Sequence, residues 1–407
     1  GATDPLQIAW AFSLDNVSGT FDTANNNVVV DGSGQYNAQY RSGGKSLTAQ
    51  SQSSNGVSYQ NVLDAGYDRF STVLFGGFDG FDVLERDPLR NSAIGATATE
   101  KTSYELATLK RAVNIIADAD QVQFNLATMP GVTNNNATQH LLETVEDRGD
   151  ALAIIDIENI YLPDTENANS AQARNAFTTA QAVNGLRARN INNSYGATYA
   201  PWVLIQDTNS NRTLWAPPSV VALGALSTTD RQAAPWFAPA GFARGGLSEG
   251  AGGVPVLEVS KRLSSDDRDK FYETGINPIA KFPAEGIVIF GQKTLQQTRS
   301  ALDRINVRRL MIFLKREISF IASRLLFAPN TRDTWTRFTG QATPLLDSVK
   351  AQFGIEDFRL ILDESTTTPD LIDRNIIYSK LLVKPTRTAE FFAIDFVITN
   401  SGASFED

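Results

Sequence analysis

The sequence predicts a multidomain protein of mixed α/β (α+β) class: a layered α/β core, a C-terminal α/β domain and a β-rich N-terminal outer domain. Three observations predict it. At 407 residues the chain exceeds the size at which one hydrophobic core stops growing. From Thr99 onward, apolar runs suited to strands alternate with helix-period segments. Before that, the chain is rich in Gly, Ser, Asn and Gln and breaks into short alternating pieces. A hydrophobic content of 42% with 20% charged residues rules out wholesale disorder.

In the N-terminal domain, residues 1–75, the segments 7–14, 27–30 and 73–75 read as strands, and the polar run 42–58 as a long exposed loop, with a disordered spacer over 37–61 as the alternative. The central domain, residues 76–295, contains a helix over 99–117, where Leu106, Leu109, Val113 and Ile116 recur at three-to-four spacing. A strand over 122–126 leads to the Met129-Pro130-Gly131 turn, and a helix over 137–148 stops at Gly149. Residues 151–157 are a nearly continuous apolar run suited to a strand buried on both faces. A helix over 171–189 and a strand over 197–205 follow, an order that favours a largely parallel sheet. Pro217 opens a further helix running to Leu226, and the glycine-rich residues 241–253 read as a mobile loop. Residues 275–295 read as framework: a turn punctuated by Gly275, Pro278, Pro283 and Gly286, then a buried strand over 287–290, stopped by Gly291. The C-terminal domain, residues 296–407, opens on the longest helical pattern, 299–326, with Leu310, Leu314 and Ile318 among its buried positions. A helix over 334–353 is expected to break near Pro344, and 358–363, 376–383 and 390–399 read as strands.

The chemistry available to this chain is narrow. With no cysteine, disulfides, thiolate catalysis and zinc–thiolate sites are excluded. A net charge of −9 argues against a nucleic-acid partner. Basic residues do concentrate between Arg299 and Arg337, Arg308 and Arg309 among them. They alternate with apolar positions at helical spacing and read as a solvated or subunit-facing helix surface. No secretory signal is visible and no apolar run is long enough to span a bilayer, so no direct membrane insertion is expected. Starting at Gly1 without a methionine, the sequence is expected to be a fragment of a longer chain.

Candidate catalytic groups fail one by one. Asp156 and Glu158 end a buried strand, as in a magnesium-dependent nucleotide hydrolase, but the phosphate-binding Gly-x4-Gly-Lys-Ser/Thr occurs nowhere. Gly245-Gly246 and residues 250–253 would cradle phosphate only at a strand–helix junction, and Pro255 works against one. Asp266, Asp267 and Asp269 lack the glycine and terminal Glu of a calcium loop; a helix N-terminus capped by Ser264 or Ser265 explains them better. His140 is the single histidine, and Trp202, Trp215, Trp236 and Trp335 read as core anchors rather than a stacking platform. No catalytic, cofactor-binding or metal-binding residue is assigned, no cofactor is expected, and the protein is read as not an enzyme. An α/β nucleotide hydrolase is the competing class.

Several ordered motifs carry a resemblance. They include Phe75-Gly-Gly-Phe-Asp-Gly80, Arg148-Gly-Asp-Ala-Leu-Ala-Ile-Ile-Asp156, and Ser194-Tyr-Gly-Ala-Thr-Tyr-Ala-Pro-Trp-Val203, with Ala200 where a second Tyr is common. Ala234-Pro-Trp-Phe-Ala-Pro-Ala-Gly241 and the 275–295 framework continue the series. The most specific stretch is C-terminal: Ile305-Asn-Val-Arg-Arg-Leu310, Phe327-Ala-Pro-Asn-Thr331 with Trp335, and Lys384-Pro385 with Glu390-Phe391-Phe392. Together, over roughly residues 75–400, they resemble the contractile tail sheath proteins of tailed bacteriophages, a family shared with secretion and bacteriocin sheaths. Residues 1–74 match no motif of that family.

The resemblance implies a structural subunit that forms six-fold rings stacked helically around a tail tube on a baseplate. Contraction would then drive the tube through the host envelope. It implies a location in the virion tail sheath, after assembly in the host cytoplasm, and subunits joined by strands donated from terminal arms. Arg308, Arg309 and the last apolar strand, with Phe391, Phe392, Ile394 and Phe396, are the residues expected at subunit interfaces. Phage sheath and bacterial injection sheath share this mechanism, and the motifs admit both; the β-rich N-terminal material favours a large phage.

Overall fold

A computed structural model describes residues 103–158, 178–207 and 212–390, with Ile94 and five short strands between residues 20 and 72. The chain divides into two compact units, Gly1–Phe81 and Asp82–Asp407. In the first, β1 (Thr20–Asp22), β2 (Asn27–Val29), β3 (Ala38–Ser42) and β4 (Lys45–Ser46) follow one another antiparallel, and β5 (Arg69–Thr72) pairs with β3. Thus β3 and β4 build a hairpin at the start of the stretch expected to be loop. The strands expected over 7–14 and 73–75 lie outside the described residues.

The second unit is built around residues 151–157. β7 (Leu152–Ile155) lies buried on both faces, as its unbroken apolar run requires. It pairs in parallel with β6 (Leu126–Thr128) on one side and β8 (Gly196–Ala200) on the other. β12 (Ile276–Phe282) continues the parallel sheet beside β8, and β13 (Gly286–Ile289) closes it antiparallel, giving the order β13-β12-β8-β7-β6. The period-2 alternation of side chains then sorts two cores. Ala153 and Ile155 face three helices: α2 (Asn135–Arg148), α3 (Thr179–Ala188) and α5 (Ser265–Thr274). There they meet Leu141, Leu142, Val183, Leu186 and Phe271. Leu152 and Ile154 face α4 (Pro218–Gln232) and a three-stranded antiparallel sheet. That sheet has the order β10-β9-β11, with β9 (Val203–Asp207), β10 (Arg212–Ala216) and β11 (Val256–Val259). α1 (Tyr104–Ile115) packs beside α2, its first turn capped by the Ser103 hydroxyl, which accepts from the Leu106 amide at 3.3 Å.

Four expectations are corrected here. The strand expected over 122–126 forms later, as β6, because the backbone of Val122 is engaged elsewhere: its amide donates to Asp118 O at 3.2 Å and its carbonyl accepts from Arg148 Nη2 at 2.9 Å. The stretch 197–205 is two strands in different sheets, parted at Pro201, which has no amide to donate. Residues 276–282, expected as a turn, are a central strand that tolerates Pro278. Pairing with β8 ends at Pro278 and pairing with β13 begins at Ile279, so no ladder position needs the missing donor. Residues 241–253 are pinned rather than loose. The Gly241 amide donates to Ile289 O at 2.9 Å, Ile289 N to Gly245 O at 2.9 Å, and Leu247 N to Ile287 O at 2.8 Å. The loop covers the open edge of β13, and it reaches α4 so closely that a Cβ on Gly224 would sit 2.0 Å from the Gly252 carbonyl oxygen.

Beyond β13, a 3₁₀ turn (Ala301–Asp303) precedes α6 (Ile305–Ser323), so the expected helix starts six residues late. α7 (Arg332–Ala351) runs unbroken through Pro344. Pro344 and Gly340, whose carbonyl loses its intrahelical donor, both face solvent, where water satisfies the freed group. β14 (Ile355–Ile361), the short α8 (Pro369–Asp373) and β15 (Lys380–Pro385) complete the described chain.

Candidate functional site: the C-terminal sheet and its anchorage

β14 and β15 form a two-stranded antiparallel sheet, in register from Ile355 opposite Pro385 to Ile361 opposite Lys380, with a bulge between Ile355 and Asp357. Its inner face carries Phe358, Leu360, Leu381 and Val383, which pack against Leu310 and Leu314 of α6, Leu346 and Val349 of α7, and Trp236. Trp236 is the keystone. Its indole Nε1 donates to Gln352 O at 3.0 Å, its ring meets Phe313 edge-on at 5.3 Å, and Gly354 lies flat against it. A Cβ at Gly354 would sit 2.6 Å from Val349 Cγ1 and 3.1 Å from the indole, so a side chain does not fit there. The outer face exposes Leu382, and ion pairs there, such as Lys384–Glu356 at 2.5 Å, are solvated and weak. Among the described residues the sheet has no third strand.

The chain leaving β15 is tied back to the central layers. The Thr386 amide donates to Gly354 O at 3.2 Å, and Asn306 Nδ2 donates to Thr388 Oγ1 at 3.0 Å. The Glu390 carboxylate then gathers donors from three places. Arg304 grips it with both arms of its guanidinium, Nε to Oε1 at 2.7 Å and Nη2 to Oε2 at 2.9 Å. Gln292 Nε2 donates to Oε1 at 3.2 Å, and the Tyr272 hydroxyl of α5 donates to Oε2. Lys293 Nζ sits 4.2 Å over the Tyr272 ring and Asp303 lies 3.0 Å from Arg304, so the cluster is charged on both sides. Burial pushes the Glu390 pKa up, but the hydrogen bonds from Arg304 and Tyr272 and the Arg304 charge outweigh it and hold the carboxyl below its usual range. The Tyr272 hydroxyl is pushed up, by burial first and then by its bond to Glu390.

Arg308 and Arg309, expected on an interface, lie inside the chain. The first two turns of α6 are buried all round, between the second core and the Trp236 segment, so both guanidiniums take internal partners. Arg309 Nη2 meets Asp230 Oδ2 of α4 at 2.5 Å, and Arg308 donates to Ser194 Oγ while lying 3.9 Å over the Tyr195 ring. Phe391, Phe392, Ile394 and Phe396 lie outside the described residues.

Asp156, 1% exposed, is a strap: its Oδ2 accepts from the Gly131 amide at 2.8 Å and the Ser219 hydroxyl at 2.6 Å, its Oδ1 from the Ser219 amide at 3.1 Å. It thereby ties the Met129-Pro130-Gly131 turn to the start of α4. Burial raises its pKa to about 6 against the lowering effect of those bonds. Glu158 is exposed, and His140 bonds Asn114 Oδ1 at 2.7 Å on the surface. Ser264 caps α5 in a capping box with Asp267, which accounts for the aspartate cluster. Among the described residues no group of three or more acids and histidines is placed to hold a metal ion, and no helix is long and apolar enough to cross a membrane.

The unit that carries the open sheet is the part with a recognisable pedigree. Residues 297–399 match the phage tail sheath C-terminal domain. Over 218 residues the chain is 35% identical to the tail sheath protein of Vibrio phage KVP40, covering 54% of this chain and 32% of that protein. By sequence, about half of the chain is thus similar to phage tail sheath proteins. It is also 30% identical over 218 residues to the tail sheath protein of Enterobacteria phage T4, covering the same shares of the two chains. The matched region thus spans about a third of the length of these relatives. In fold it is similar to a chain of the contracted sheath complex of an extracellular contractile injection system, PVC. The TM-score is 0.54 at 20% identity, over 80% of this chain and 82% of that one. These tail sheath relatives are structural proteins. The Lys384-Pro385…Glu390 motif marked Glu390 in the sequence, but nothing in the sequence announced Tyr272, Gln292 or Arg304 as its partners, because they lie 118, 98 and 86 residues away.

Proposed function

We propose that this chain is a structural subunit of a contractile phage tail sheath, which polymerises around a tail tube on a baseplate and contracts to drive the tube through the host envelope. The observation that carries this reading is the match of residues 297–399 to the sheath C-terminal domain. The exposed two-stranded sheet of β14 and β15 within that domain is what strand donation needs. An added strand gains main-chain hydrogen bonds along the open edge, while its linker leaves the donor free to rotate. In this reading residues 296–407 face the tube and the neighbouring subunits, in six-fold rings stacked helically, and the protein is a virion component. No nucleotide hydrolysis is required of it, and the engagement of Asp156 with three donors supports a framework role for that carboxylate. The relatives matched by sequence at 35% and 30% identity are phage proteins, which supports the phage machine.

The test is electron microscopy of the full-length protein with and without its tube. Tubular polymers are expected from the wild type. Ile394→Pro, placed in the apolar segment that the sequence predicts to be the last strand, is expected to abolish them. A full-length protein that stays monomeric beside its tube, or an Ile394→Pro variant that still forms sheaths, refutes the reading.

A further inference from the structure

We propose that Glu390 is a positioning residue for assembly: its carboxylate, gripped by Arg304, Tyr272 and Gln292, fixes the point at which the C-terminal segment leaves the subunit toward a second copy of this chain. The inference rests on the sheath reading and adds to it a specific latch. The sheet of β14 and β15 has its own apolar core and does not need Glu390, which takes no part in it. Instead the Glu390 carboxylate reaches past its own sheet to α5, to Gln292 beyond the end of β13, and to the residue opening α6.

Three ties in five residues, at Thr386, Thr388 and Glu390, hold the irregular stretch of backbone that follows β15. The last of them is the strongest. Side-chain exposures of 18% for Glu390 and 26% for Arg304 set it apart from the solvated pairs of the same domain, such as Lys384–Glu356 at 72% and 42%. A donated strand profits from such a latch because ordering lost before association need not be lost during it.

The experiment compares full-length wild type with Glu390→Gln, Glu390→Ala, Arg304→Lys and the control Glu356→Gln. Three quantities are measured for each: the thermal midpoint, the rate of chymotryptic cleavage after Phe391 and Phe392, and polymer yield. Glu390→Gln and Glu390→Ala are expected to cleave there about tenfold faster or more, as the loss of a charge-assisted bond implies. Polymer yield should fall in step, and the midpoint should stay within about 3 °C of wild type. Arg304→Lys, which keeps the charge and loses the fork, should be intermediate. Glu356→Gln should behave as wild type. Unchanged cleavage and polymer yield in Glu390→Ala overturn the proposal, and so does a Glu356→Gln effect of equal size. If the wild type itself forms no polymer, the sheath reading falls while the cleavage series still decides whether the latch exists.

Discussion

Replacing Asp156 by Asn should produce a stability deficit that grows as the pH falls, the reverse of ordinary acid sensitivity. Burial raises the Asp156 pKa from 3.8 to about 6, so the folded protein binds that proton more tightly than the unfolded chain does. A raised pKa contributes stability that is fully present below the unfolded value and is lost as pH rises through the folded one. Each tenfold difference in proton affinity between the two states is worth about 1.4 kcal/mol. Between pH 7 and pH 4 the wild type therefore gains about 2 kcal/mol from this group, and the Asn variant gains none. There is also a constant cost. The carboxylate accepts from the Gly131 amide and both Ser219 donors, and an amide must turn its NH₂ toward one of the two backbone N–H groups. One buried donor then goes unpaired, at about 1–3 kcal/mol. Urea unfolding of both proteins at a series of pH values measures this, since the difference between the curves cancels the other carboxylates. A difference that stays flat, or shrinks, as the pH falls refutes the assignment of a raised pKa to Asp156.

Other outcomes follow from contacts already described. Gly354→Ala should destabilise by about 1–3 kcal/mol, read as a shift in urea midpoint with altered Trp236 fluorescence, because its Cβ meets Val349 and the indole. Gly224→Ala should cost at least as much in the same assay, since the obstacle is the Gly252 backbone rather than a movable side chain. Arg309→Met should lose about 1–3 kcal/mol at neutral pH by leaving the half-buried Asp230 without its partner, and Arg309→Met with Asp230→Leu should recover most of it. As the pH falls below the ordinary carboxylate range, the depressed pKa of Glu390 means that its contribution is lost. Glu390→Gln should therefore have a slightly lower thermal midpoint than wild type at neutral pH, by no more than about 3 °C, and converge with it in acid.

What the sequence disclosed and what it withheld divide along physical lines. β7 was legible because a strand buried on both faces must be apolar at every position, and α5 because its Ser264 cap and acidic first turn are local chemistry. β12 was hidden because Pro278 argues against a central strand unless the register spares its nitrogen, and register is a tertiary fact. The glycine-rich loop was misjudged for a related reason. Glycine signals conformational freedom in a sequence, but Gly224 and Gly252 are small because two backbones touch. Arg308 and Arg309 looked like surface charge because helical spacing alone cannot show that the first turns of α6 are enclosed on every side. The Glu390 cluster joins residues far apart in sequence, and no local pattern encodes such a meeting.

The placement of α6 bears on how a subunit could move. Its residues Ile305 and Ile312 belong to the core beneath the central sheet, while Leu310 and Leu314 belong to the core beneath β14 and β15. One helix thus carries both cores on adjacent faces, and close-packed interiors resist the sliding that would separate them. Arg309 adds a half-buried ion pair to α4, and Trp236 crosses from the central layers to bond the carbonyl of Gln352. Bending residues 296–390 away from the central layers would break all of these together. On the proposed sheath reading, contraction therefore moves the described part of the Asp82–Asp407 unit as a nearly rigid body. The free energy that drives it must come from contacts between subunits, not from strain within one. A disulfide engineered between α4 and α6, at positions whose Cβ atoms lie within about 4.5 Å, tests this, since rigid subunits should still contract when it is closed. Sheaths of that variant that extend normally but contract only after reduction would show that α4 and α6 must part, and would refute the rigid-body account.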